Sequence, residues 1–584
     1  MTYGIGSYGL YEPHEGHFAG VGREMVTRGD WITPHLNGAP YLNKPPLFYW
    51  LIAASYKITG SQDEWSARIP LALIGWCGVL LAWYWARKLW GPSAGRYAAV
   101  MLAVSSGWYL FCHQLLIDAL LSVINLAALY FMSKAIVARN KIGPWIQFYA
   151  VVGLSVLAKG LIGVAFPAAA LLLFIAWRRD WALIRDSRPI MGTLVIALIV
   201  GPWVALLEYN NPGALQYMII NEHVKRALDT RWPKDYSVVQ VDIPKYIGIS
   251  LVWLTPWSLL LPQAYQACRQ TFSNNDRSDV PESERVAVTV LAIGALLPIV
   301  AFLPMPSRLI YYSLPALPPF TMLAARWWSR SSEPNAAKER LTAACTFFLI
   351  GAATFGAGFF LGEKLKTIPD LAATPALLTM IPQLAFMLGL ALALGGALLY
   401  FRKPALSMLA LGLLLGAADI ANVSGFAAYD SVLSSKRLVS NLQQKVGSDF
   451  IWVSEGSKEV GASAGIAFYL GQDSSGNARS VYIMSDDDRR PPPDFPGSRP
   501  AYLKTHDELN ALWDGDKPVL FVTDFQRSNW LYDYPMLPKH VAGCFQDETC
   551  GNRRVFANRA AWKKLHKLQL TPDKAGLARD DTTP

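Results

Sequence analysis

Residues 376–422 read ALLTMIPQLAFMLGLALALGGALLYFRKPALSMLALGLLLGAADIAN. Two stretches of it, 376–400 and 404–422, decide the fold class. A helix that crosses a bilayer needs about 20 mostly apolar residues. The first stretch carries no charge and the second only Asp419, with Arg402 and Lys403 between them. The same pattern recurs at 69–90, 94–112, 115–137, 146–159, 161–177, 189–206, 244–262, 284–303, 308–325 and 342–362, about twelve spans in all. Composition agrees: hydrophobic residues make up 52% of the 584, charged residues 16%, and the mean hydropathy is +0.23. Soluble domains carry roughly 25% charge. A soluble multidomain chain, a disordered chain and a disulfide scaffold are excluded, the last because 6 Cys in this length is ordinary.

Charge distribution orients the spans. Residues 423–584 carry 20 Lys+Arg and 20 Asp+Glu, so the whole +10 excess lies in residues 1–422. Within that part the basic residues gather in alternate connections, such as Arg87, Lys88 and Arg96, then Lys134, Arg139 and Lys141, then Arg178, Arg179, Arg185 and Arg188. By the positive-inside rule these connections are cytoplasmic. The basic excess follows membrane topology and points to no nucleic-acid partner. An even number of spans puts both termini outside. Residues 1–68 form an outer-face loop with juxtamembrane helices, and their placement leads the reading to expect a further helix ahead of Met1. Residues 69–422 form the transmembrane domain.

From Val423 the spanning pattern stops. Short β-rich runs (Asp449–Ser454, Ser480–Met484, Pro518–Val522) alternate with helical ones (Lys436–Val446, Thr505–Trp513), which predicts a small soluble α/β domain over 423–584 on the outer side. Arg489–Pro500 reads as a loop and Gly576–Pro584 as a frayed end. Cys544 and Cys550 are the only cysteines of this domain, and an oxidising compartment would allow them to pair. Cys77, Cys112, Cys268 and Cys345 lie in or beside spans as inert packing. No Walker loop, dinucleotide fingerprint or zinc spacing is present.

Polar residues that are costly near lipid collect on the outer side. Glu12, His14, Glu15 and His17 share one loop; Lys44 lies in Tyr41-Leu-Asn-Lys-Pro-Pro46; Asp118 opens the third span and Lys159 an outer turn. Glu222, His223 and Arg226 fall in the long outer connection, and Arg308 opens the ninth span, with Tyr312 just after it. Carboxylates and imidazoles beside several cations suit transfer from a lipid-phosphate donor: cations hold the phosphate as it leaves, and a carboxylate takes the acceptor's proton. Plainer readings stand beside this. An outer-loop carboxylate is ordinarily solvated surface, Asp118 can pair with a lysine for folding alone, and Arg308 and Lys159 can anchor at the interface.

The order of the motifs resembles the bacterial aminoarabinose transferases and the related protein O-mannosyltransferases, GT-C glycosyltransferases that use polyprenyl-phosphate sugars. The matching elements are His14-Glu15, Arg23-Glu24-Met25, Gly29-Asp30-Trp31, Pro34–Gly38, Tyr41–Pro46, Tyr49-Trp50, Leu116-Ile117-Asp118, Ala158-Lys159-Gly160, Asn221–Arg226, and Ser307-Arg308 through Tyr312 with Leu314-Pro315. The resemblance implies thirteen spans, a periplasmic C-terminal domain, and phosphate contacts from Lys44, Arg226, Lys159 and Arg308. Glu15, Asp118 and His14 take the catalytic roles, with Glu12, Tyr41, Glu222, His223 and Tyr312 at the substrate. Three positions depart from the family pattern. His14 replaces its first aspartate, leaving Glu15 or Glu12 as the base, or His14 itself, whose ordinary pKa of about 6.5 suits it. Asn43 replaces a glutamate and Asn221 a histidine, and amides are poor zinc ligands, so no metal cofactor is expected there.

The expected function is transfer of a sugar from a polyprenyl-phosphate donor to lipid A or another glycolipid, in a multi-pass protein of the bacterial inner membrane among membrane lipids. A protein Ser/Thr acceptor is the alternative within the class. A flippase for lipid-linked sugars and an inactive binding relative are the alternatives outside it.

Overall fold

A computed structural model of the chain describes residues 2–12, 14–230, 241–273, 280–306, 308–367, 375–446, 450–455, 464–471, 481–484, 502–503, 506–522 and 555–567. The Cys544/Cys550 pair, the loop Arg489–Pro500, the end Gly576–Pro584, and Arg231 and Lys234 lie outside the described residues. The chain divides into two units. One comprises Met1–Ile5, Arg68–Ala205 and Ser237–Ala428, and the other Gly6–Ala67, Leu206–Tyr236 and Tyr429–Pro584.

In chain order, α1 (Glu15–Arg28) and α2 (Leu47–Thr59) flank a short hairpin of β1 (His35–Leu36) and β2 (Ala39–Pro40). The apolar helices α3 (Glu64–Trp90), α4 (Pro92–Ala103), α5 (Ser106–His113), α6 (Ile117–Val137), α7 (Ile142–Lys159) and α8 (Leu161–Arg178) follow. Among the described residues nine helices are long and apolar enough to cross a membrane, and the bent pair Ile243–Trp253 with Trp257–Thr271 makes a tenth. Three expected single spans are built otherwise, one of them 244–262, which bends by 95° between Trp253 and Trp257. Residues 94–112 break between α4 and α5, where the Ser106 amide turns to the Thr255 carbonyl, 3.2 Å away. Residues 308–325 contain Pro315, Pro318 and Pro319, which confine the α-helix to Leu317–Arg330 behind a 3-10 turn at Leu314–Ala316. The split of 146–177 at Lys159-Gly160 is as the sequence suggests, with Gly160 at φ +71° between α7 and α8.

In the first unit, α6 packs on α7, on α8 and on Glu282–Val300, and α4 on Leu317–Arg330. Lipid offers helices no hydrophobic gain from associating, so close approach rests on small residues. The clearest case joins Ala337–Leu365 to Pro375–Tyr400. A methyl on Gly351 would strike the backbone of Gly389 and Ala393, and one on Gly389 would strike Phe355. On the basic-rich connections, Arg139 reaches both Asp180 (2.7 Å) and Asp186 (2.6 Å), and Arg326 donates to Glu284 at 2.8 Å.

The second unit holds a five-stranded sheet in the order β5-β4-β3-β6-β7: β3 is Ile451–Glu455, β4 Tyr482–Met484, β5 Tyr502–Leu503, β6 Val519–Val522 and β7 Val555–Ala557. All pairings are parallel except β6 with β7, where Phe521 opposes Phe556. The strand β6 reads VLFV and is buried throughout, as a parallel strand covered on both faces should be. Leu438, Val439 and Leu442 of the helix Lys436–Val446 close one side of the core. Asn558 ties the sheet to the last helix, its Oδ1 accepting from the Val519 and Ala561 amides and its Nδ2 reaching the Trp513 and Lys517 carbonyls.

The glycine packing gives a direct test. Replacing Gly389 with leucine should cost about 1–3 kcal/mol through overpacking, while leucine at Gly356, which faces open space, should leave stability unchanged. Thermal unfolding of the two purified variants in detergent compares them.

Candidate functional site

The first outer loop owes its shape to residues that the motif order singles out. Gly29 ends α1 in the left-handed conformation at φ +71°. Asp30 Oδ1 then accepts from the Ile32 and Thr33 amides, and Asn37 (φ +54°) and Gly38 (φ +84°) make the tight turn of the hairpin. Glu24 holds that turn from below, its carboxylate facing the Gly38 amide at 3.2 Å and the Arg28 guanidinium at 3.1 Å. Burial pushes the Glu24 carboxyl up, against the opposing pull of Arg28 and Gly38. Arg-Glu-Met, Gly-Asp-Trp and Pro-x-Leu-x-Gly therefore serve to shape the loop.

The shaped loop forms the approach to Lys44. The His14 ring lies 6.1 Å from that of His17, and His17 lies 5.6 Å from Tyr41, so a row of rings joins the start of α1 to the Tyr41–Pro46 segment. Lys44 Nζ stands 3.6 Å from Glu222 Oε2, and Arg226 Nη2 stands 3.2 Å from the same oxygen. The Glu222 side chain is fully buried, whereas Lys44 and Arg226 keep 17% and 15% of theirs exposed. Two cations thus share one buried carboxylate, each keeping part of its side chain accessible. Glu222, His223, Lys225 and Arg226 sit on a π-helical stretch, Tyr217–Lys225, and its end. Burial holds the His223 imidazole below its ordinary range, reinforced by Lys44, so the ring is neutral at pH 7. Asn221 Nδ2 donates to Glu222 Oε1 at 3.1 Å, so this amide orients the carboxylate.

The carboxylates at the start of α1 have separate partners. Glu15 Oε2 accepts from the Tyr11 amide at 2.8 Å, tying the segment ahead of α1 to its first residue. Glu12 Oε1 accepts from the Ser435 hydroxyl at 2.6 Å, and the Glu12 amide donates to Leu433 O at 2.9 Å.

In the other unit, Asp118 and Lys159 meet at 2.5 Å, 2% and 7% exposed. Their places suit their charges: Asp118 lies in the first turn of α6 and Lys159 ends α7, each favoured by its helix dipole. Lys159 Nζ also lies 5.0 Å from the Tyr312 ring centroid. The ion-pair reading of Asp118 is thus realised with the lysine expected at the phosphate. Arg308 directs Nη1 to the Leu303 and Met305 carbonyls, closing the turn that follows Glu282–Val300.

The profile of the dolichyl-phosphate-mannose-protein mannosyltransferase family matches residues 43–205, a stretch that includes Lys44, Asp118 and Lys159. An undecaprenyl phosphate-alpha-4-amino-4-deoxy-L-arabinose arabinosyl transferase of Pseudomonas fluorescens is 26% identical over 328 residues, covering 54% of this chain and 53% of the relative. One from Pseudomonas aeruginosa is 27% identical over 333 residues, covering 55% and 56%. The chain spans about half the length of these curated relatives. The crystal structure of ArnT from Cupriavidus metallidurans bound to undecaprenyl phosphate superposes with a TM-score of 0.76 over 96% of both chains, at 21% identity. The chain has the GT-C membrane fold. The apo form of the same protein gives a TM-score of 0.74. The resemblance carried by the motif order is borne out, and the GT-C chain described here is a multi-pass membrane protein.

Sequence reasoning overlooked the residues of the second unit that hold the loop. Asn37 exchanges two hydrogen bonds with Val481 (2.7 and 2.8 Å), Arg23 donates to the Phe468 carbonyl and lies over its ring, and Tyr469 OH meets the Leu10 amide at 2.6 Å. No local pattern marks contacts across more than 400 residues.

Two tests follow from this geometry. Removing one partner of the buried Asp118–Lys159 pair, as Lys159→Met, should cost about 3–5 kcal/mol, and adding Asp118→Asn should recover much of it in thermal unfolding. His223 gives a pH dependence: with its folded pKa depressed, the unfolded chain takes up the proton that the folded one refuses. Stability should fall as pH drops below about 6.5, and the fall in Tm between pH 7.5 and 5.5 should shrink in His223→Gln.

Proposed function

We propose that this protein is a glycosyltransferase that moves a sugar from a polyprenyl-phosphate donor to lipid A or another glycolipid at the periplasmic face of a bacterial inner membrane. The observation that carries the reading is the Lys44–Glu222–Arg226 cluster, two partly exposed cations sharing one buried carboxylate in a chain of GT-C fold. The relatives named as undecaprenyl-phosphate aminoarabinose transferases support the donor class.

The donor phosphate accepts hydrogen bonds from Lys44 and Arg226, and their charge stabilises it as it departs. An acceptor hydroxyl attacks the anomeric carbon: its oxygen–carbon bond forms, the bond from that carbon to the phosphate oxygen breaks, and polyprenyl phosphate leaves with the electron pair. The hydroxyl proton passes to a carboxylate. Glu12, whose Oε1 is held by the Ser435 hydroxyl, takes that proton. His14, at the start of α1, orients the acceptor beside it. Arg308 holds its own turn in shape. A protein hydroxyl is the second acceptor reading, supported by the family profile over residues 43–205.

Purified protein in lipid nanodiscs should release labelled sugar from a panel of undecaprenyl-phosphate donors that includes aminoarabinose and mannose. Lys44→Ala and Arg226→Ala should each lower the rate about 10²–10³-fold. A wild type that binds these donors without turning any over would make the protein a binder or flippase.

A further inference from the structure

The carboxylate proposed to face the acceptor does not rest on its own loop alone. Glu12 is 5% exposed, and the groups around it come from the far end of the sequence. Ser435, fully buried, donates its hydroxyl to Glu12 Oε1 at 2.6 Å. The Glu12 amide is held by Leu433 O, and Tyr11 forms a β-bridge with Ser434. Gly465, in the helix Ala464–Leu470, is the other wall: a methyl group there would collide with Glu12 Oε1, and one on Gly16 would collide with the Gly465 backbone. Two flanking contacts fix the strand that leads in, the Gly9 amide on Asp430 Oδ1 at 2.6 Å and the Leu10 amide on Tyr469 OH.

We propose that Ser435 and Gly465 complete the transfer site, Ser435 as a positioning residue for the Glu12 carboxylate and Gly465 as the gap that admits it. The inference rests on the transferase reading above. A hydroxyl donating to a carboxylate favours its ionised form and fixes the direction of its remaining lone pairs. Gly465 matters because a side chain of any size would turn the carboxylate off that hydroxyl. The other charged and titratable groups packed near this seat have partners of their own. Lys436 lies 2.8 Å from Glu64, Arg437 lies 3.7 Å from Asp430, and Tyr469 OH donates to Glu64 at 3.0 Å. His14 and Glu15 flank Glu12 on its own segment. Ser435 is therefore the group whose removal acts on Glu12 with least disturbance to the surrounding charges.

The test measures sugar transfer by the full-length protein in nanodiscs across pH, for wild type, Ser435→Ala, Ser435→Thr and Gly465→Ala. Loss of the hydroxyl should move the acid limb of the kcat profile up by about one pH unit, with the donor KM unchanged, and threonine should restore it. Gly465→Ala should lower kcat at every pH while sparing the donor KM. A Ser435→Ala profile that superimposes on wild type, or one lowered equally at all pH and in Ser435→Thr alike, overturns the proposal. Because the alanine variant can fail by misfolding, a double-mutant cycle with Glu12→Gln is read by thermal unfolding. Coupling between the two positions supports the seat, and strict additivity overturns it. Absence of turnover in wild type, with coupling present, sinks the transferase reading and the catalytic role with it while leaving the contact established.

Discussion

A bilayer gives an unpaired backbone group nothing to bond with, and that constraint orders the molecule. The apolar helices satisfy their own amides and carbonyls, and where a helix stops early the freed groups are met at once. The break between α4 and α5 hands the Ser106 amide to Thr255, and Arg308 takes two carbonyls at the turn after Glu282–Val300. Chemistry that needs charge is thereby confined to helix ends and to the loops beyond them. Asp118 and Lys159 show the limit of what a helix end tolerates, a carboxylate and an ammonium that neutralise each other where two helix dipoles already favour them. Lys44 and Arg226 show the alternative, cations that share a buried carboxylate and keep part of their surface open.

That division also explains what could be read in advance. Spanning helices are legible because about 20 apolar residues in a row have few other uses, and the helix Lys436–Val446 is legible because its apolar positions recur at helical spacing. Three strands, β3, β4 and β6, are found within a residue or two, β6 because it is a plain apolar run, whereas the short β5 and β7 carry no such signal. Three segments that read as single spans break in the backbone. Hydropathy averages over a window, and neither a single amide redirected to Thr255 nor a triplet of prolines changes the average much.

The site divides along the same line. Its residue types and their order carried the resemblance, and Lys44, Glu222 and Arg226 do converge. The sequence does not say which acid is spent on structure. Glu15 holds the segment ahead of its own helix and Glu24 holds a hairpin, and both look as reactive in the bare sequence as Glu12. The deciding contacts join residues far apart in the chain, and one sequence holds no local trace of such pairs. Asn37 is the plainest example: an amide in a turn whose partner, Val481, leads into a sheet formed from the last third of the protein.

That side chain has a consequence for synthesis. Val481 is made 444 positions after Asn37, and chains elongate at about 5–20 residues per second. For something on the order of twenty seconds to a minute and a half, the first loop must wait with its turn unsupported. The protein cannot assemble its outer region from front to back. The early segment is finished by the late one, so a ribosome that stalls short of Val481 leaves a membrane domain whose first loop has nothing to close upon.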